Sequence, residues 1–122
     1  MSKRRATTTA ARARERIEAI QAEITSCEFV SSGSLTRRMT RCGKPNCRCA
    51  KDPDARHGPY FEWGRMEGGR QVSTYVSEEE AVRLRQAMRN HRRIKRLLRR
   101  WERESVRVMK AEIVLSADEG AT

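Results

Sequence analysis

The chain has 122 residues, of which 37% are hydrophobic, 5% aromatic and 35% charged, so the sequence predicts one domain with a thin apolar core laid along helix seams. Its 27 Lys and Arg outnumber 16 Asp and Glu for a net charge of +11, which points to a polyanionic partner. No apolar run of about 18 residues is present, and the basic start Met1–Arg5 leads into Thr and Ala without an apolar signal core, so a cytoplasmic protein that does not enter a membrane is expected.

In chain order, residues 1–7 read as a flexible basic arm. A first helix is expected from Thr8 to Cys27, with Thr7, Thr8 or Thr9 as N-cap and Ser31-Ser32-Gly33 closing the pattern. Its small and apolar residues Ala10, Ala13, Ile17, Ile20, Ile24 and Cys27 recur at steps of three and four, the spacing of one helix face. Residues 34–42 are strand-compatible. Residues 60–76 read as a β-hairpin, because two strand-like runs flank Glu67-Gly68-Gly69 and the glycines accept the positive φ of a tight turn.

Ser77-Glu78-Glu79-Glu80 has the pattern of a capping box and starts a second, long helix, expected to reach Leu115. Its seam is read through Leu84, Ala87, His91, Ile94, Leu98, Trp101, Ser105 and Val108. Two matching seams around a small antiparallel sheet give an α+β fold, with the helices packed antiparallel in a single domain over 8–115 and a frayed tail over 116–122.

Three of the four cysteines, Cys42, Cys47 and Cys49, fall within eight positions, and His57 follows. In a reducing compartment such a cluster reads as a metal site before it reads as disulfides. Three thiolates and an imidazole complete a tetrahedral zinc sphere that leaves no place for a catalytic water, so the ion would be structural. Arg41, Lys44 and Arg48 would favour the thiolates. Ordinary reduced thiols are the competing reading, and Cys27 is the alternative fourth ligand, although it also continues the helix seam.

The second helix carries Arg85, Arg89, Arg92, Arg93, Arg96, Arg99, Arg100 and Arg103, and the stretch Arg83–Arg100 contains no acid. Solvated helix faces usually interleave acids with bases. An acid-free stripe instead suits a phosphate backbone, with Lys44 and Arg48 on the metal loop as further contacts. The basic residues Lys3, Arg4, Arg5, Arg12, Arg14 and Arg16 offer a second strip. The aromatic residues Tyr60, Phe61, Trp63 and Tyr75 fall on the hairpin, where core packing accounts for most and stacking on unpaired bases would suit others.

The segments Gly33-Ser34-Leu35, Cys42-Gly43-Lys44-Pro45-Asn46-Cys47-Arg48-Cys49-Ala50 and His57-Gly58-Pro59-Tyr60, with the glycine hairpin and the long charged helix, resemble an uncharacterised prokaryotic family often encoded near transposases and other mobile-element genes. The resemblance spans about Ile17 to Arg100. It implies that Cys42, Cys47, Cys49 and His57 form one site, and it implies no activity.

The expected function is therefore zinc-stabilised binding of nucleic acid, DNA in preference to RNA, through phosphate contacts. Two other readings stand beside it: an adaptor or homodimer that uses the helix seams, and a thiol redox or metal sensor. No enzyme is expected, since the chain lacks a phosphate-cradling glycine loop, a nucleophile elbow and a carboxylate pair beside the cysteines.

Overall fold

The computed structural model describes residues 1–120, with side chains through Ala117. The elements are α1 (Lys3–Thr25), β1 (Ser34–Thr40), β2 (His57–Glu67), β3 (Arg70–Val76) and α2 (Glu78–Gly120), with short 3-10 turns at Arg48–Ala50 and Pro53–Ala55 before β2. This is the expected α+β architecture. The chain divides into two compact units, Met1–Glu28 with the part of α2 from Arg92 onward, and Phe29–His91.

In the helical unit α1 starts earlier than the threonines suggested. Ser2 is the N-cap, its hydroxyl accepting from the Arg5 N–H at 3.1 Å. Thr7 and Thr8 instead donate their hydroxyls to the Lys3 and Arg4 carbonyls one turn back, so they sit inside the helix and Lys3, Arg4 and Arg5 belong to its first turn. The helix ends at Thr25, where Thr25 and Ser26 hydroxyls donate to the Gln21 and Glu23 carbonyls. Cys27 lies just past that end.

The expected α1 face is the packed one: Ala10, Ala13 and Ile20 are buried, and the face extends back to Ala6. Ala6 and Ala10 meet Ala111 with Val114 and Leu115 against them. Alanines on both helices let the backbones approach closely. Ion pairs Arg14–Glu112, Arg16–Glu104 and Glu23–Arg93 run in opposite senses along the two helices, which fixes the antiparallel packing.

The α2 seam differs from expectation in this unit. Leu97, Glu104, Val108 and Ala111 are buried, whereas Leu98 is exposed and Ser105 half-buried. The packed face steps Leu97–Trp101–Glu104–Val108–Ala111, still in threes and fours. It takes in an acid because two arginines neutralise it: Glu104 accepts from Arg16 Nε at 2.9 Å and from Arg107 at 2.7 Å. Helix continues through residues 116–120, where a frayed tail was expected, and 121–122 lie outside the described residues.

In the sheet unit the strands follow sequence order, β1-β2-β3, both pairs antiparallel. Gly68 and Gly69 take φ values of 55° and 79° in the two-residue turn between Glu67 and Arg70, as the hairpin reading required. The sheet begins three residues before Tyr60, because Thr40 pairs with His57 after an irregularity at Met39. That pairing ends β1 at Thr40, so Arg41 and Cys42 leave the expected strand and enter the metal loop.

One sheet face carries Leu35, Phe61, Trp63, Val72 and Val76, by the register of the three strands. Phe61 is buried, and Trp63 shares a cleft with Phe29, Val30, Leu84 and Ala87. The Trp63 indole N–H donates to the Ser32 carbonyl at 3.0 Å, and the Arg65 guanidinium lies 3.8 Å from the ring centre. Gly33, with φ 109°, is required there: a β-carbon would collide with the Gly64 carbonyl. At the start of α2 the Ser77 hydroxyl accepts from the Glu80 N–H at 3.1 Å, the anticipated cap. Asn90 and the Ala87 carbonyl tie the helix to Phe29 and Ser31.

Candidate metal centre

Each candidate ligand side chain is placed by a local backbone feature. Cys42 stands two residues past β1. Gly43, at φ 80°, turns the chain, and the Cys47 N–H closes on the Lys44 carbonyl at 3.1 Å. Cys49 rides on the 3-10 turn Arg48–Ala50, held by the Ala50 N–H on the Cys47 carbonyl. Asp52 accepts from the Asp54 N–H and caps the next turn, which delivers the chain to β2, whose first residue is His57.

These features converge. The Cys42 and Cys49 sulfurs are 3.5 Å apart, Cys47 Sγ lies 3.1 Å from His57 Nε2, and all four ligand atoms lie within 4.8 Å of one another. The edges of a tetrahedral zinc sphere are about 3.8 Å between thiolates and about 3.5 Å from thiolate to imidazole. The Cys42–Cys49 and Cys47–His57 pairs fall slightly inside those edges and the other separations do not exceed 4.8 Å, so the four residues can hold a metal ion. Cys49 is 1% exposed, Cys47 and His57 are half-buried, and Cys42 faces solvent.

The thiols differ chemically. The Cys47 pKa is lowered, first by the backbone N–H of Cys49 and then by the neighbouring thiols of Cys49 and Cys42. For Cys49, the Cys42 backbone N–H donates to Sγ at 3.4 Å and favours the thiolate, but burial and the two adjacent sulfurs outweigh it and push the pKa up. Cys27 is not in the cluster; it belongs to the helical unit, where its thiol donates to the Glu23 carbonyl at 3.7 Å.

A family model described as a domain of unknown function, DUF6788, matches residues 8–86. The chain belongs to this family. The DUF6788 match begins nine residues before the resemblance read from the sequence and stops fourteen short of its end. It contains the sheet and all four cluster residues, while Arg89 to Arg103 lie beyond it. No curated protein and no solved structure matches the chain.

The basic residues singled out from the sequence are all exposed, including Lys44 and Arg48 on the metal loop. Some have partners. Arg93 pairs with Glu23 at 3.6 Å, Arg48 with Asp52 at 3.2 Å, Arg89 donates to Gln86 at 2.6 Å, and Arg85 lies 5.3 Å from the Phe61 ring centre. Among the described residues, Arg92, Arg96, Arg99, Arg100 and Arg103 form no ion pair.

Two polar groupings escaped the sequence reading. Glu104 with Arg16 and Arg107 was hidden because an acid was not expected on a seam, although its spacing placed it there. Glu62 accepts from Ser73 and Arg38, both at 2.6 Å, and its pKa is lowered first by the Ser73 hydroxyl and then by Arg38 against some burial. The alternation of β2, which sets Glu62 opposite Thr36 and Tyr75, was the available signal.

Proposed function

We propose that the protein is a non-enzymatic module whose Cys42, Cys47, Cys49 and His57 hold one structural Zn²⁺ and whose arginines bind nucleic acid, DNA before RNA, through phosphate contacts. The metal half is supported by the four converging ligand atoms, since thiolate and imidazole donors in that number satisfy zinc and leave no coordination position for substrate or water. Bound zinc would contribute folding free energy to the loop.

The nucleic-acid half is carried by one observation: in the helical unit Arg92, Arg96, Arg99 and Arg103 follow each other at steps of four, three and four, exposed and without acidic partners among the described residues. Counterions or phosphates must screen such a row. Phosphate contacts position a protein without reading bases, so weak sequence preference is expected. Service beside a mobile element is the setting that the resemblance implies.

The test joins metal analysis to salt titration. Wild-type protein is expected to carry about one zinc per chain and Cys47→Ser to lose it. Four phosphate contacts would weaken DNA binding on the order of 100-fold between 50 and 200 mM salt. Metal-free protein after reduced purification, or a Kd indifferent to salt, would overturn the corresponding half.

A second reading has its own observation. Leu98, Val106, Met109 and Ile113 leave a partly exposed apolar strip on α2, with Trp101 beside it. A second copy or a partner helix would cover such a strip. Sedimentation equilibrium checks it, with Met109→Glu expected to shift a dimer to monomer.

A further inference from the structure

The sheet has a second face, and the packing of the unit leaves it open. Register places Thr36, Arg38, Tyr60, Glu62, Ser73 and Tyr75 together there, opposite the face that carries Phe61 and Trp63. Tyr60 is 44% and Tyr75 65% exposed, so neither ring is needed as core. Their centres are 6.1 Å apart with planes at 64°, a diagonal cross-strand pair that holds two aromatic surfaces side by side in water.

The charge around the pair suits a polyanion. Among the described strand residues Glu62 is the one acid that register places on this face, and it is already engaged by the Arg38 guanidinium and the Ser73 hydroxyl, both at 2.6 Å. The metal loop that leads directly into Tyr60 exposes Arg41, Lys44, Arg48, Lys51 and Arg56 against one exposed acid, Asp54. Two open rings, with an exposed basic loop leading into Tyr60, match what a flexible strand offers: a π-face on every base and a phosphate at every step. A duplex keeps its base faces stacked inside and cannot use the rings.

We infer that the open sheet face is a stacking platform for single-stranded nucleic acid, with Tyr60 and Tyr75 each taking one unpaired base while the metal-loop bases hold the adjoining phosphates. The inference rests on the nucleic-acid function proposed above and adds strandedness and location to it. Stacking on an aromatic side chain is sequence-tolerant, so the preference is for unpaired bases and not for a motif.

The experiment uses the full zinc-loaded chain with a fluorescent oligonucleotide of twenty deoxythymidines and, separately, the same strand paired to its complement. Wild type is expected to prefer the single strand, and Tyr60→Leu/Tyr75→Leu to weaken that binding about 10- to 100-fold while duplex binding holds. Photo-crosslinking of wild type to a bromouracil-substituted strand, mapped by mass spectrometry, is expected to label Tyr60 or Tyr75, and this readout stands even if the double variant misfolds. Equal affinity for both oligonucleotides with crosslinks confined to α2 would overturn the platform and leave the phosphate-contact function intact. Absence of salt-dependent binding to either oligonucleotide would overturn both.

Discussion

Three cysteines of one loop do not share one reactivity. In metal-free protein at pH 7 to 8, Cys47, with its lowered pKa, is expected to be alkylated by iodoacetamide well before Cys49, whose pKa is raised and whose sulfur is buried. Peptide mass spectrometry over time checks the order, and zinc should protect both. Glu62 gives a second residue-scale test. Its folded pKa lies below the ordinary value of 4.5, so the stabilisation it supplies is present above that value and is lost as pH falls through the lower, folded one. Glu62→Gln should therefore flatten the acid side of the Tm-versus-pH curve below about pH 5, measured beside wild type under equal metal loading. Gly58 also has a fixed role: at φ 137° its hydrogen faces the Arg38 carbonyl, which a β-carbon would approach to 2.8 Å, directly beside the candidate ligand His57.

The elements separate what the sequence made legible from what it concealed. The hairpin could be read because Gly68 and Gly69 are tied to a turn conformation, and the start of α2 because Ser77 and Glu80 stand at cap spacing. The ligand set could be read because Cys42 to His57 span one short loop, so chain connectivity alone keeps them near. The start of α1 could not, since a threonine hydroxyl serves a cap and an interior back-bond equally well. The α2 seam was ambiguous because Leu97 and Leu98 are adjacent, and only the paired Glu104 decides which of them faces α1. Thermal denaturation tests that register: Leu97→Ala is expected to cost about 2–4 kcal/mol and Leu98→Ala less than about 1 kcal/mol. The reverse order would restore the seam through Leu98 and Ser105. Glu104→Met, which leaves Arg16 and Arg107 free to reach water, should be close to neutral.

At the scale of the whole molecule the excess of +11 is spread unevenly, and a row of arginines without ion-pair partners among the described residues runs along α2 at Arg92, Arg96, Arg99 and Arg103. Replacing Arg92, Arg96, Arg99 and Arg103 one at a time with Ala should lower the slope of log K against log salt by about 0.9 for each residue that meets a phosphate. An unchanged slope in all four would move the binding surface elsewhere. Among the described residues no helix is long and apolar enough to cross a membrane, which agrees with the low apolar content of both helices. The two compact units draw on different resources: alanine-lined helix packing in one, and in the other a small sheet whose buried set is short. The sheet unit therefore has the greater need of a metal ion, and a chelator should lower its thermal midpoint while Ile20 and its α1 neighbours keep their protection from hydrogen exchange. That the four candidate ligands come from a loop and from the first residue of β2 would make folding an equilibrium with the surroundings. An ion held by the folded loop but not by the open chain adds about 1.4 kcal/mol of stability for each tenfold rise in its free concentration above Kd. The lifetime of the sheet would then be set by how much metal the medium leaves unclaimed, and a scarcity of the ion would register first as proteolysis of residues 42–57.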